Sequence, residues 1–468
     1  MNPDGLEANY YYGGGRSESF VTPLSLCIFV AAALLILLLP RKYATVPFLV
    51  AGILLPMGQT VVIGGLHLYL LRLLILIGYG RVIWAGFLTR RDRFPGPLNP
   101  LDKIVLLWAC CNAITYTILW GAVGALIVKL GFLYNALGSY FLLRYLIRDR
   151  EDVVRAIKIL ALVCVVCAPL VLMEHATGQN YFSALGHRLV SDVRYGKVRA
   201  EGPFAQSIIN GTLGAMLVPL FAALWWQGRG HRLAAALGVV SSTAMVISSS
   251  SSTPIMTYLA GILALCLWRF RDKMRAFRWG LVFSLIGLQM VMKAPIWSLI
   301  GRVSAISGGT GWHRAELIHQ SVLHFWEWWL IGTTRNAYWG LDMWDSDNAF
   351  VNAGTEGGLI TFILFLTLFV RAYRRIGVGR RLVVDDRKHE RLIWALGACL
   401  FANTVAFFGI VYFDQSSIAW YALLVMITAA TASFLDAKPA EAKVTGLTYG
   451  ALQPAPADPE HLRTWNER

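Results

Sequence analysis

Charge is scarce in this sequence. Only 15% of its 468 residues are Asp, Glu, Lys or Arg, against about 25% in ordinary soluble domains. No stretch reads as a soluble domain, and 56% of the chain is hydrophobic, with 17 Trp and a mean hydropathy of +0.55. A basic segment ahead of the first apolar run is also missing. The leader there is acidic and rich in Tyr and Gly, with no small-residue cleavage site, so no cleavable signal peptide is expected. What fills the chain is apolar runs near the ~20 residues needed to cross a bilayer. This pattern predicts an all-α polytopic membrane protein.

Cysteine chemistry has no foothold. The seven cysteines all lie in apolar runs, and the Cys164/Cys167 pair sits inside "LALVCVVCAPLVL" without a metal-type partner. Packing of small residues between helices accounts for them. Histidine is no better placed: His313, His319 and His324 are six and five apart, not the four that aligns ligands on a helix face. "GGTG" at 308–311 lacks the preceding strand and the Lys-Ser/Thr of a nucleotide loop. No metal and no cofactor is expected.

Hydropathy places about 12–13 transmembrane helices, near 22–40, 46–64, 66–88, 104–120, 122–143, 156–174, 207–226, 233–249, 254–268, 279–296, 354–370, 392–411 and 416–434. Every second connection is basic: Arg41 and Lys42; Arg90, Arg91, Arg93 and Lys103; Arg144 to Lys158; Arg229 and Arg232; 269–278; and 371–391. The positive-inside rule sets those connections in the cytoplasm, so the net charge of +15 is mostly orientation signal. It is dispersed among short loops and forms no nucleic-acid-binding face. Residues 1–435 thus read as one transmembrane domain and 436–468 as a disordered cytoplasmic tail. The two long connections, about 175–206 and 297–353, fall on the outer face.

Those outer loops break the charge rhythm with Arg188, Arg194, Lys197 and Arg199, then Arg302, Arg314 and Arg335. Long loops translocate regardless of charge, which is one explanation. The other is an anion site, since converging arginine forks suit a diphosphate. Two cations lie inside spans: Arg72 and Lys129, six and seven residues below the outer ends of their helices, or ~9–11 Å deep. Long side chains snorkel from that depth, yet buried cations usually line a cavity. Their matched depth points to one positively charged cavity opening outward.

The stretch "DSDNAFVNAGTEGGLITFILFL" (345–366) sets Asp345, Asp347, Asn348, Asn352 and Glu356 ahead of an apolar run. Capping explains one or two of these, with "TEGG" a break before the next helix. Five polar groups on the loop that holds Arg302 and Arg314 point instead to a site. "SSSSS" at 248–252, at an outer helix junction, reads as a solvated turn before Pro254 or, second to that, a contact for sugar hydroxyls, and Trp326, Trp328 and Trp329 as an interfacial belt or a sugar-stacking surface.

Three segments, "RAEGPFAQSIINGT" (199–212), "GGTGWHRAELIHQSVLHFWEWWLIGT" (308–333) and the stretch at 345–366, together resemble the bacterial O-antigen ligase and Wzy-type polysaccharide polymerase superfamily. The resemblance covers roughly 199–370. It implies a GT-C-like inner-membrane glycosyltransferase with a long periplasmic loop containing short helices. Its donor would be an oligosaccharide on undecaprenyl diphosphate, its acceptor a glycan or lipid, with polysaccharide export or chain-length partners and membrane lipids alongside. The reaction would be inverting and metal-independent. Arg199 matches the arginine before the family's "G-x-F…N" and Arg314 the one that opens the long-loop helix; both would bind the diphosphate, aided by Arg72, Lys129, Arg302 and Arg335. "DNAF" aligns with "HN-x-x-L", so Asp347 stands where a ligase has its histidine and Asn348 matches the asparagine. That departure tilts the reading toward a polymerase or exopolysaccharide enzyme. Asp347 is the candidate base, with Asp345 and Glu201 as substitutes. The rival class is a transporter or flippase of lipid-linked or anionic substrates. The chain has no obvious internal repeat and its suspected site lies in outer loops, which favours the enzyme.

Overall fold

Capping residues and prolines set the helix starts. Thr22 accepts a hydrogen bond from the Ser25 amide, and Pro23 takes the first helical position of α1 (Pro23–Leu38). After Pro40 the chain re-enters helix as α2 (Arg41–Leu54). The computed structural model describes residues 19–63, 66–89, 96–194, 196–301, 311–343 and 347–435. The 436–468 tail and, from the second expected basic connection, Arg90, Arg91 and Arg93 lie outside them.

Two expected spans are corrected here. Leu55 and Pro56 end α2, and the β-branched run that follows forms a hairpin, β1 (Thr60–Ile63) antiparallel to β2 (Leu66–Tyr69), with Val61 opposite Leu68. The regions 46–64 and 66–88 are therefore helix in part only, the second continuing as α3 (Leu70–Thr89). Asn99 and Asp102 form a capping box for α4 (Pro100–Trp120). Then come α5 (Val123–Leu146) and α6 (Arg150–Thr177). A long connection holding the hairpin β3 (Asp192–Arg194) and β4 (Lys197–Arg199) leads to α7 (Ser207–Gln227), α8 (Arg232–Ser248), α9 (Ser252–Cys266) and α10 (Met274–Val291). The second long connection carries the short helices α11 (Gly311–Leu323) and α12 (Phe325–Trp328). It runs into α13 (Ala349–Leu382), α14 (Arg387–Ala406) and α15 (Ser417–Leu435).

Among the described residues, eight helical segments are long and apolar enough to cross a membrane. The chain is an all-α, multi-pass membrane protein. Eight is fewer than the twelve or thirteen read from hydropathy: α1 and α2 have 16 and 14 residues, and α14 opens on Arg387, Lys388, Glu390 and Arg391. The centre of the bundle is α7 and α15, buried on almost every side. Small residues permit this closeness, as where Gly214 faces the Ser242 carbonyl and Gly238 faces the Phe221 ring.

The basic connections meet at one end of the bundle. Arg41 pairs with Asp152 at 2.8 Å, Arg150 with Asp386 at 2.5 Å, and Arg380 with Glu390 at 2.9 Å. The two long connections, the β1–β2 hairpin and the α14–α15 turn meet at the other, through bonds such as Ser25 Oγ to Leu185 O and Ala205 N to Asp414 Oδ2. The alternation of charge along the sequence is thus an alternation of ends. Near the loop end α13 is broken at Gly358, whose φ is 73°. The segment 329–333 threads the break: the Leu359 amide donates to Trp329 O, and the Thr333 amide to Thr355 O. A Cβ at Gly358 would stand 2.4 Å from the Leu330 carbonyl oxygen, so only glycine fits.

Candidate functional site

Arg199 ends β4, directly across the hairpin from Asp192 in a register that also sets Val193 opposite Val198. Its Nη1 donates to Asp192 Oδ2 at 3.2 Å and its Nη2 to Ser251 Oγ at 2.8 Å. The next residue, Ala200, is held by its amide to Ser248 O and by its carbonyl to the Asn210 amide group. Ser250, at the positive φ of 45°, turns the chain and donates to Val198 O. The serine run is therefore no solvated turn: Ser248, Ser249, Ser251 and Ser252 are buried. It joins α8 to α9 and docks the hairpin.

Arg314 reaches the same junction from α11. It is 7% exposed, and its Nη1 lies 3.4 Å from Ser252 Oγ in the first turn of α9. The site thus brings two guanidiniums from separate connections to the hydroxyls at one helix N-terminus, where the helix dipole also favours an anion. The Nε atoms of both arginines are buried without a hydrogen-bond partner. Burial lowers the pKa of Arg314; the Asp347 carboxylate opposes that shift, while the nearby Arg194 and Arg199 charges add to it. Burial likewise lowers Arg199, against the raising effect of Asp192 and, more weakly, Asp347.

Asp347 enters by way of Asn348. The Asn348 Oδ1 accepts from the Phe350 and Val351 amides, capping α13, and its Nδ2 donates to Phe408 O at 3.3 Å. The Ala349 amide donates to Phe407 O. These bonds fix the start of α13 on the turn after α14, and Gly409 of that turn lies against Arg314. Capping and site geometry are thus both present in "DNAF": Asn348 caps, and Asp347, half-buried, faces the arginines electrostatically.

The remaining expected site residues scatter. Lys129 and Arg72 hold separate sets of partners, and Arg72 stands in the first turn of α3, because 66–69 is strand and not the outer end of its helix. Lys129 Nζ donates to Glu356 Oε2 at 2.7 Å and to Asn112 Oδ1, over the Tyr116 ring. Arg72 bonds His67 O, packs on Gly131 and bonds Asn135 Oδ1, the last two lying two and six residues further along α5 than Lys129. Glu201 is 1% exposed and clamped by Arg188, Nε to Oε2 at 2.6 Å. That pairing occupies the carboxylate proposed as a substitute base. Arg335 is exposed at the start of a single 3-10 turn, Asn336–Trp339. Arg302 and Asp345 lie outside the described residues. Of the tryptophans, Trp328 is buried on Gly354 and donates to Ser321 O, while Trp326 is exposed.

Asp192 and Gly409 escaped the sequence reading. So did the seat that the serine run gives the arginines, although Ser-Ser-Ser-Ser-Ser before Thr-Pro is a helix-start signature. Among the described residues no group of three or more His, Cys, Asp or Glu could hold a metal ion. Comparison of the sequence with family models and with curated proteins finds no match.

Proposed function

We propose that this protein is a membrane glycosyltransferase that transfers or polymerises glycan from an undecaprenyl-diphosphate-linked donor. The observation that carries the reading is the convergence of Arg199 and Arg314, each with a buried unpartnered Nε, on the serine hydroxyls at the N-terminus of α9. In this reading the basic end faces the cytoplasm and the loop end the periplasm of the inner membrane. The fold is then of GT-C type, with α11 and α12 in the long periplasmic loop.

The chemistry follows from the charges. The acceptor hydroxyl oxygen forms a bond to the anomeric carbon from the face opposite the diphosphate, the C–O bond to the diphosphate breaks, and configuration inverts. The departing diphosphate keeps the electron pair and needs no proton. Its developing charge falls on Arg199 and Arg314 in a water-poor pocket, where fixed cations are most effective. The acceptor's proton goes to Asp347, the carboxylate that the arginines already face.

The test is transfer by the purified full chain in detergent, given undecaprenyl diphosphate carrying one oligosaccharide unit. Arg314→Ala and Asp347→Asn should each lower turnover at least ~100-fold at unchanged protein yield. Full activity in both would remove the assignment. One observation favours the rival transporter reading: the intramembrane Lys129–Glu356 pair beside a broken helix. A deletion strain separates the two. Lipid-linked units accumulating on the periplasmic leaflet support the transferase, and accumulation on the cytoplasmic leaflet supports a flippase.

A further inference from the structure

Glu174 lies in the last turn of α6, outside every motif named above, and is fully buried. Its carboxylate accepts three hydrogen bonds. Ser191 Oγ and the Glu201 amide reach Oε1, both at 2.7 Å, and the Gly202 amide reaches Oε2 at 2.9 Å. Ser191 immediately precedes β3, and Glu201 and Gly202 follow β4 at a distance of two and three residues. One side chain therefore closes the base of the hairpin that holds Arg199 opposite Asp192.

The local backbone is shaped for this contact. Gly202 has a φ of 59°, and a Cβ there would stand 2.9 Å from Val171 Cγ1 on the same helix. Glycine lets the amide approach the carboxylate closely. The other polar contacts of residues 200–202 reach Ser248 O, the Phe204 amide and the side chains of Asn210, Asn180 and Arg188. From α6, Glu174 holds both ends of the hairpin, while His175 touches only Val198 O, at 2.9 Å.

We propose that Glu174 is a positioning residue: it aims Arg199 into the anion site by fixing both ends of the β3–β4 hairpin. The inference rests on the reading of Arg199 as a diphosphate ligand. A buried acceptor of three bonds that served the fold alone would affect stability without regard to Arg199. One acting through Arg199 loses its effect once Arg199 is gone.

The experiment uses the detergent-solubilised full chain, with hydrogen exchange to follow the hairpin and inorganic pyrophosphate as the titrated probe. Glu174→Gln keeps the shape and one acceptor oxygen but turns an NH₂ toward the Gly202 amide. Exchange at Glu201 and Gly202 should speed at least tenfold, and pyrophosphate should bind at least fivefold more weakly. In an Arg199→Ala background, Glu174→Gln should change pyrophosphate binding less than twofold. Unchanged exchange at 201–202 overturns the proposal. So does a full fivefold loss in the Arg199→Ala background, which would make Glu174 structural. If Arg199→Ala itself leaves pyrophosphate binding intact, the ligand role of Arg199 falls and the proposal with it; faster exchange in Glu174→Gln would then stand as the mark of that separate failure.

Discussion

Gly409 and the guanidinium of Arg314 are in contact. A Cβ at position 409 would stand 2.7 Å from Arg314 Nε and 2.7 Å from Thr253 Oγ1. The turn after α14 therefore has to be glycine at this point for Arg314 to reach Ser252. Its backbone is not of the left-handed kind that glycine alone tolerates, so Gly409→Ala acts on the arginine and not on the turn. Donor turnover should fall at least tenfold, ~1.4 kcal/mol of barrier, with the thermal midpoint nearly unchanged. Wild-type turnover in this variant would show that the position of Arg314 is immaterial.

Asp192 is the anion that Arg199 holds, and on the proposed reading the one that a donor diphosphate displaces. It is half exposed, with a 3.2 Å contact, and exposed pairs contribute up to ~1 kcal/mol. A diphosphate must compete with it. Asp192→Asn should therefore tighten pyrophosphate binding by up to ~5-fold, measured by titration calorimetry at low salt, and the gain should shrink as salt rises. Weaker binding in this variant would make Asp192 a supporting group.

Helices were legible where apolar runs met capping residues, as at Asn99–Asp102 or Thr22–Pro23. The hairpin β1–β2 was not, because Val61, Val62, Leu68 and Tyr69 read equally as membrane-span residues; the Gly64-Gly65 pair between them was the only warning. Depth was legible for Lys129, six residues into α5, but not for Arg72, which stands in the first turn of α3 because 66–69 is strand; direction around a helix was legible for neither. Hydropathy has no angular term in a bundle whose helices meet lipid on one side and protein on the other, so the Glu356 partner of Lys129 stayed hidden. Arg199, Arg314 and Asp347 were named from loops and resemblance. The serine seat that the two arginines share needed the third dimension, since 251 and 252 are more than fifty residues from either arginine.

The Lys129–Glu356 pair is unequal in burial, with side chains 8% and 36% exposed. Removing each partner should therefore cost differently. Glu356→Ala strands an almost fully buried ammonium, which keeps Asn112 Oδ1 and the Tyr116 and Phe132 rings but no anion as partners. The loss should be about 3 kcal/mol. Lys129→Met leaves a carboxylate with access to solvent and should cost about 1 kcal/mol or less. Thermal unfolding in detergent micelles gives the ranking. Equal losses would mean that Glu356 is as desolvated as its partner.

Asp414, in the turn between α14 and α15, supplies a pH dependence. Its carboxylate is buried and accepts from the Ala205 amide at 3.2 Å and the Ser416 amide at 2.8 Å. Burial raises its pKa, and the Ser416 hydrogen bonds oppose that rise without cancelling it. A carboxyl raised in the folded state binds its proton more tightly there than in the unfolded chain. Its contribution to stability is fully present below the ordinary aspartate value, about 3.9, and is lost as pH rises through the raised value. Asp414→Asn carries no titrating group and loses one of the two acceptors, so it should start less stable than wild type in acid. The gap should then narrow as pH rises, because only the wild type loses stability through this group. Unfolding midpoints of both proteins between about pH 4 and 8 read the difference directly. Parallel curves would mean that the carboxyl binds its proton equally in the folded and unfolded states, so that burial does not raise its pKa.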